Sequence, residues 1–400
     1  VTAADQLLLL PALTATEAEG GRFALTRKFI DGVNEYARRW PGPIRVAVRR
    51  SSQPTTNLDQ IAVHPRDCPF ELTWLPDRSE DLNRMMASAS LAMISLVDDN
   101  IAMASVAHAQ ERPSIWVTEY SVKTRRQIIW TDTANPILRW RREWYNRRIE
   151  AKFREVIANA AGVQCNGTPT YEAYRPLNRN AMLYFDTRVR GEHLATPQAV
   201  ATRTARLMSG QPLRLAFSGR FIPMKGADHL PLIAAELRRL NVPFRFDVCG
   251  GGPLESDMKR QVESLGMKDH FRFRGVLDFQ SQLMPFIASE IDLFICPHRQ
   301  GDPSCTYLET MSCGTPIAGY DNEAFTGLVR TNGVGWTAPL DQPAALAALI
   351  AKLDRSRQSL ATAAAKSLEF AAQHTFEHTM QARVDHLRSC LKSSQRLVTA

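Results

Sequence analysis

The strongest constraint on this chain is a rhythm: short apolar runs rich in β-branched and aromatic residues alternate with longer amphipathic stretches along nearly its whole length. Parallel strands joined by covering helices produce that pattern, because a strand buried on both faces is apolar throughout while its crossover helix is apolar along one stripe. In the first half, strands are predicted at residues 6–13, 44–48, 71–75, 92–96, 114–118, 162–165 and 181–185. Polar and small residues dominate from 188 to 212, after which strands are predicted at 213–217, 244–249, 271–274, 293–296 and 316–319. The chain therefore reads as an α/β protein of two doubly wound units, residues 1–205 and 206–400. The last helix of its Ala-rich end is expected to pack back on the first unit. Four hundred residues also exceed what one hydrophobic core usually organises. In open α/β sheets ligands bind outside the carboxyl ends of the strands, so the loops there are where function is sought.

Seven cysteines, odd in number and scattered, lack paired metal-ligand spacing, which favours a reducing, cytoplasmic setting. The apolar run at 7–13 is too short to span a bilayer, and no cleavable signal pattern precedes it. A formal charge of +8 admits acidic partners without choosing among them. Neither an Asp-x-Asp sequence nor a compact His/Cys cluster occurs, so no metal and no other cofactor is expected.

Three segments carry the chemistry. Phe217-Ser218-Gly219-Arg220-Phe221-Ile222-Pro223-Met224-Lys225-Gly226 follows a predicted strand and precedes a helix. Two cations near a helix N-terminus can hold a diphosphate and stabilise it as it departs, or they can simply lie in solvent around a turn. Val248-Cys249-Gly250-Gly251-Gly252 ends the next strand, where glycine lets backbone and ligand approach, or merely tightens the connection. The third segment runs from Cys296 through His298 and Gly301-Asp302-Pro303-Ser304-Cys305-Thr306 to Glu309 and Pro316. Helix-start amides around Ser304, Cys305 and Thr306 can receive phosphate or sugar oxygens, His298 can contact either, and the Glu309 carboxylate can accept both hydroxyl protons of a ribose. Thr306-x-x-Glu309 also fits a capping box, in which Glu309 only closes its own helix.

In this order and spacing the segments resemble the donor domain of the retaining glycosyltransferases of GT-B architecture, family 4. The resemblance spans residues 213–337 and includes Phe273-Arg274-Gly275-Val276, where the family's loop backbone contacts the nucleobase. It implies two Rossmann-like doubly wound domains facing a central cleft, acceptor in the first and nucleoside-diphosphate sugar in the second. Arg220 and Lys225 would bind the diphosphate and Glu309 the ribose, with Gly219, Gly251, Arg274 and Val276 lining the donor. Gly20-Gly21, expected between the first strand and a helix from about Arg22, matches the family's first-loop glycines. Two departures stand out. The family usually has a second glutamate where this chain has Gly301, so Asp302 is expected to supply that carboxylate, unless it caps the following helix. Many relatives place a histidine after the strand at 114–118, where this chain has Glu119, expected to orient the donor sugar or assist proton movement. Asn166-Gly167-Thr168 resembles the family's last βα turn of the first domain.

Between Lys123 and Arg154 ten basic residues face three acidic ones, a net +7. Arg139, Trp140, Arg141, Arg142 and Trp144 suit an anionic membrane surface, with arginines on phosphates and indoles among headgroups. The alternatives are a solvated helix with its aromatics turned into the core, and stacking on RNA. The functional expectation is a transferase acting on an unidentified hydroxyl acceptor. The alternatives are a GT-B epimerase of a nucleotide sugar and a non-enzymatic membrane- or RNA-binding module.

Overall fold

The structure, a computed structural model, describes residues 2, 4–53 and 60–399. Two compact units form, the first from residues 1–122, 143–184 and 377–400, the second from 123–142 and 185–376.

In the first unit the strands are β1 (Leu7–Leu10), β2 (Thr14–Ala18), β3 (Arg22–Thr26), β4 (Ile44–Arg50), β5 (Gln60–Val63), β6 (Glu71–Trp74), β7 (Leu91–Ser95), β8 (Ser114–Thr118), β9 (Gly162–Asn166) and β10 (Ala181–Tyr184). They hydrogen-bond in the order β10-β9-β8-β7-β1-β4-β2-β3-β5, with β6 also beside β4. The central pairings are parallel, and all four residues of β1 are buried, as a strand covered on both faces requires. The expected first strand stops at Leu10, just before Pro11, and the chain turns into an antiparallel hairpin of β2 and β3. Gly20 and Gly21 lie in that hairpin's turn, at φ of +72° and +71°, which glycine adopts without strain. The expectation that they precede a helix is therefore corrected. The first helix, Arg27–Arg39, starts where Thr26 caps it by accepting the Phe29 N–H.

The second unit contains β11 (Leu213–Ser218), β12 (Phe244–Cys249), β13 (Phe271–Gly275), β14 (Leu293–Cys296), β15 (Ile317–Tyr320) and β16 (Gly335–Ala338). All pairings are parallel, in the order β13-β12-β11-β14-β15-β16, so the order reverses between β11 and β14. Leu215, Phe217, Phe246, Val248, Leu293 and Ile295 form the middle of its core, each wholly buried. The short strand β16 escapes sequence reading because its four residues, Gly-Trp-Thr-Ala, show neither a long apolar run nor clean alternation.

The division between units differs from the expected 205/206. The helix Pro197–Met208 belongs to the second unit because Arg203, buried within it, donates to the carbonyls of Ile287, Ala288, Cys313 and Gly314 and to the Thr315 hydroxyl. Residues 377–400 belong to the first unit, where Arg383 Nε donates to Gln164 Oε1 at 2.8 Å and the His386 ring meets Asn180 O at 2.8 Å. Replacing Arg203 removes the donor to the Ala288 and Gly314 carbonyls, whereas Ile287 O keeps the Ile291 N–H and Cys313 O the Thr315 hydroxyl. Arg203→Ala is expected to lower the stability of the second unit by about 3 kcal/mol or more, since each hydrogen bond from a charged donor contributes about 1.5–3 kcal/mol. Urea titration of the whole chain reads this as an earlier first transition; an unmoved midpoint contradicts it.

Candidate functional site

The loops leaving β11, β12 and β13 are laced together by their backbones. Gly219 N–H donates to Cys249 O (3.1 Å), Phe221 N–H to Gly251 O (2.9 Å) and Gly250 N–H to Gly275 O (2.7 Å). That closeness requires glycine: a Cβ on Gly250 would stand 2.0 Å from Gly219 O, and one on Gly226 2.0 Å from Pro297 O. A Cβ on Gly251 would be 3.8 Å from the Val276 side chain, which is 79% exposed, so these two neighbours offer open backbone at the carboxyl end of the sheet. Arg274 is committed elsewhere: it pairs with the fully buried Asp247 (2.7 Å) and lies over the Phe286 ring. Its Nε is thereby taken, while the backbone of its loop stays open beside Val276.

The loop leaving β14 meets the turn Pro223–Lys225 from the other side of the order reversal. Arg299 N–H donates to Met224 O (3.0 Å), and its guanidinium holds Pro223 O (2.6 Å) and Asp228 (2.8 Å). Lys225, nearly buried, thereby reaches Asp302 Oδ2 (3.1 Å) and Ser304 Oγ (3.3 Å). An ammonium has three donors, so one stays available to an anion. Asp302 is not the helix cap. Ser304 occupies the N-cap of the helix Cys305–Ser312 and makes no side-chain cap bond, its hydroxyl accepting from Lys225 instead. Cys305 and Thr306, half-buried, start the first turn of this helix, and the Tyr307 N–H of the same turn donates to Ser304 O (3.2 Å). Arg220 is exposed and makes no ion pair among the described residues.

Glu309 sits one turn further along this helix, almost buried, with Oε1 accepting from Arg188 Nε at 2.8 Å. The capping box is not formed, because Thr306 is inside the helix rather than at its cap. Arg188, whose guanidinium lies 3.7 Å from the centre of the Phe279 ring, occupies one carboxylate oxygen and leaves Oε2 for other donors. Sequence reading missed Arg188 because it lies far upstream in a stretch with no motif.

Gly301 explains its own departure from the resemblance. A Cβ there would be 2.9 Å from Glu323 Cβ and 3.2 Å from Thr124 Oγ1, so a glutamate has no room. Its N–H donates to Gln127 Oε1 (2.9 Å) and its carbonyl accepts from Thr124 (3.2 Å), two more residues that no motif marked. His298 and Gln300 flank this loop at 1% exposure, and neither ring nitrogen of the one nor amide atom of the other has a hydrogen-bond partner. Asp302 Oδ1 is likewise buried and unpartnered. Leaving such atoms unpaired costs about 1–3 kcal/mol apiece, a cost that concentrates where a ligand binds.

In the first unit, Glu119 follows β8 and accepts a hydrogen bond from Asn166 Nδ2 (3.0 Å) at the end of β9, which joins two of the expected loop residues. Gly20 and Gly21 form a hairpin turn with nothing near the place of their Cβ atoms. In the helix Pro136–Ala158, Trp140 is 69% and Trp144 54% exposed, so these aromatics are not turned into the core. Arg141 and Arg142 are exposed beside them, and Arg139 stacks over the half-exposed Trp130 at 4.7 Å. No described helix is long and apolar enough to cross a membrane.

Two α/β units, the second with strand order 3-2-1-4-5-6 and its polar residues at the strands' carboxyl ends, make this a GT-B fold. Residues 202–367 match the family model described as glycosyl transferases group 1. The chain is similar to 2-deoxystreptamine glucosyltransferase of Streptomyces kanamyceticus, 30% identical over 35% of this chain and 35% of that one. It is also similar to 2-deoxystreptamine N-acetyl-D-glucosaminyltransferase of Streptomyces fradiae, 36% identical over 22% and 20%. The chain thus spans about a third or less of the length of these two relatives. Among solved structures, Anabaena HepE in complex with UDP superposes with a TM-score of 0.66 at 13% identity, covering 96% of this chain and 99% of that one. Sucrose-phosphate synthase of Thermosynechococcus elongatus gives 0.61 at 15% identity over 98% and 100%.

Burial, with Lys225 nearby, pushes the His298 pKa well below its ordinary value. The unfolded chain therefore takes up a proton below about pH 6.5 that the folded protein refuses, and stability falls on acidification by up to about 1.4 kcal/mol per pH unit. His229 and His386, also lowered by burial, act in the same direction. His298→Asn is expected to flatten the fall in urea midpoint between pH 7 and 5.5 relative to the unaltered chain; parallel profiles contradict the assignment.

Proposed function

We propose that this chain is a glycosyltransferase that takes a sugar from a nucleoside-diphosphate sugar held by its second unit and passes it to a hydroxyl acceptor, with retention of anomeric configuration. The observation that carries this reading is the convergence of Lys225, Asp302, Ser304 and Glu309 at the carboxyl ends of parallel strands, beside buried polar atoms that lack partners. The family-model match over that region supports it, as do the Anabaena HepE complexes with UDP and UDP-glucose.

In this reading the free donor of Lys225 and the exposed guanidinium of Arg220 take up charge on the diphosphate as the bond from the anomeric carbon to its oxygen breaks. Fixed cations supply that stabilisation without a metal. Glu309 accepts a ribose hydroxyl through Oε2, and open backbone at Gly251 and Val276 borders the base. Asp302 and His298 serve the sugar end. Acceptor binding falls to the first unit, where Glu119, oriented by Asn166, meets the acceptor hydroxyl or the donor sugar. The exposed Trp140 and Trp144 with Arg139, Arg141 and Arg142 dock on anionic lipid at a cytoplasmic membrane face.

A panel of nucleotide sugars scored by thermal stabilisation tests the donor assignment, because a ligand of the folded state raises apparent stability. Lys225→Ala and Glu309→Ala are each expected to weaken donor binding about tenfold or more, the equivalent of one charge-assisted hydrogen bond. Undiminished binding by both sinks the assignment, and alteration of the sugar without an acceptor sinks transfer. Liposome sedimentation checks docking: Trp140→Ala with Arg141→Ala should release the protein from anionic vesicles, and binding by the intact chain should weaken as salt rises. Equal sedimentation with neutral vesicles contradicts it.

A further inference from the structure

The loop after β14 alternates in a way that diphosphate and ribose binding do not use. Its odd-numbered residues belong to the framework: Arg299 is spent on Asp228, Asp341 and the Pro223 carbonyl, and Gly301 is clamped through its backbone by Thr124 and Gln127. Its even-numbered residues face the opposite condition. Both ring nitrogens of His298, both amide atoms of Gln300 and Oδ1 of Asp302 are buried without a partner. The ring of Tyr307 lies beside His298, at 5.8 Å between centroids, and offers neither ring nitrogen a hydrogen bond. Folded proteins leave few buried polar atoms unpaired, so five on three alternate residues mark a place where another molecule completes the bonding. Asp302 joins this strip to Lys225, the proposed diphosphate lysine. In a nucleotide sugar, the group bonded to the far side of the diphosphate is the sugar.

We propose that Gln300 is the residue that selects the donor sugar, reading one hydroxyl or a vicinal pair of a neutral hexose between His298 and Asp302. This inference rests on the nucleotide-sugar reading above. The chemistry is matched. A hydroxyl both donates and accepts, as do a primary amide and a neutral imidazole, while a carboxylate only accepts. A deoxy sugar leaves the buried amide unpaired, and a site built around such a bond rejects the analogue that lacks it. A hexuronate brings its charge against Asp302, whose pairing with Lys225 already uses the nearby cation.

Calorimetric titration of the full chain tests this with UDP- and GDP-linked neutral hexoses, their deoxy counterparts and hexuronates, alongside UDP and GDP alone. The intact protein is expected to prefer one neutral hexose over its deoxy counterpart at one position by at least about 100-fold. Gln300→Ala and the size-matched Gln300→Glu should each bring that ratio below about tenfold while binding of the free nucleoside diphosphate changes less than about threefold. An unchanged sugar ranking in both variants, with nucleoside diphosphate still bound, overturns the proposal alone. Loss of nucleoside diphosphate binding by both variants also overturns it, since Gln300 is then framework. If the intact chain binds neither UDP nor GDP, the donor-pocket reading falls and this inference with it.

Discussion

The contact between Lys225 and Asp302 links the two strand ends on which the site depends. Those strands, β11 and β14, lie on either side of the point where the sheet order reverses, so their loops leave in different directions. A nearly buried ion pair of 3.1 Å draws them back together, and Ser304 adds a second hold. Such a pair contributes little net stability, because desolvating two charges offsets most of their attraction. Its value here is registration: it fixes where a cation stands while leaving that cation one unused donor. The Arg299 network supports it from behind, gripping the Pro223 carbonyl and Asp228 so that the turn carrying Lys225 cannot drift.

Much of this arrangement was readable from residue order, and the reason is physical. Parallel strands buried on both faces leave nearly continuous apolar runs, so β8, β12 and β14 were located to within a residue of their ends. The positions of Lys225, Ser304 and Glu309 follow from strand-turn-helix grammar, which fixes side chains over short distances. What stayed hidden depends on long-range packing. The strands β2 and β3 are five residues each and carry no continuous apolar run, and a helix is expected from about Arg22 where β3 lies, while Arg188, Thr124 and Gln127 reach the site from segments more than a hundred residues away. Gln300 lay in plain view, but its burial is a property of the fold and not of its neighbours in sequence.

Position 301, where the resemblance implies a glutamate, is a glycine. With no side chain there, Glu323 and Thr124 close against the backbone, and Gln127 takes its N–H. The loop is fastened at its waist, where Gln127 accepts the Gly301 N–H and Thr124 donates to its carbonyl.

The chain passes between the two units at residues 122/123, 142/143, 184/185 and 376/377. During synthesis this interleaving sets an order. Residues 185–376 contain every strand of the second sheet and can assemble around their own core as soon as they leave the ribosome, joined there by the waiting segment 123–142. The first unit holds the earliest strands, yet it stays uncovered at Gln164 and Asn180 until Arg383 and His386 arrive with the final helix. The unit that holds the earlier strands closes after the later one, and a chain interrupted before residue 377 would carry a completed second unit and an unfinished first.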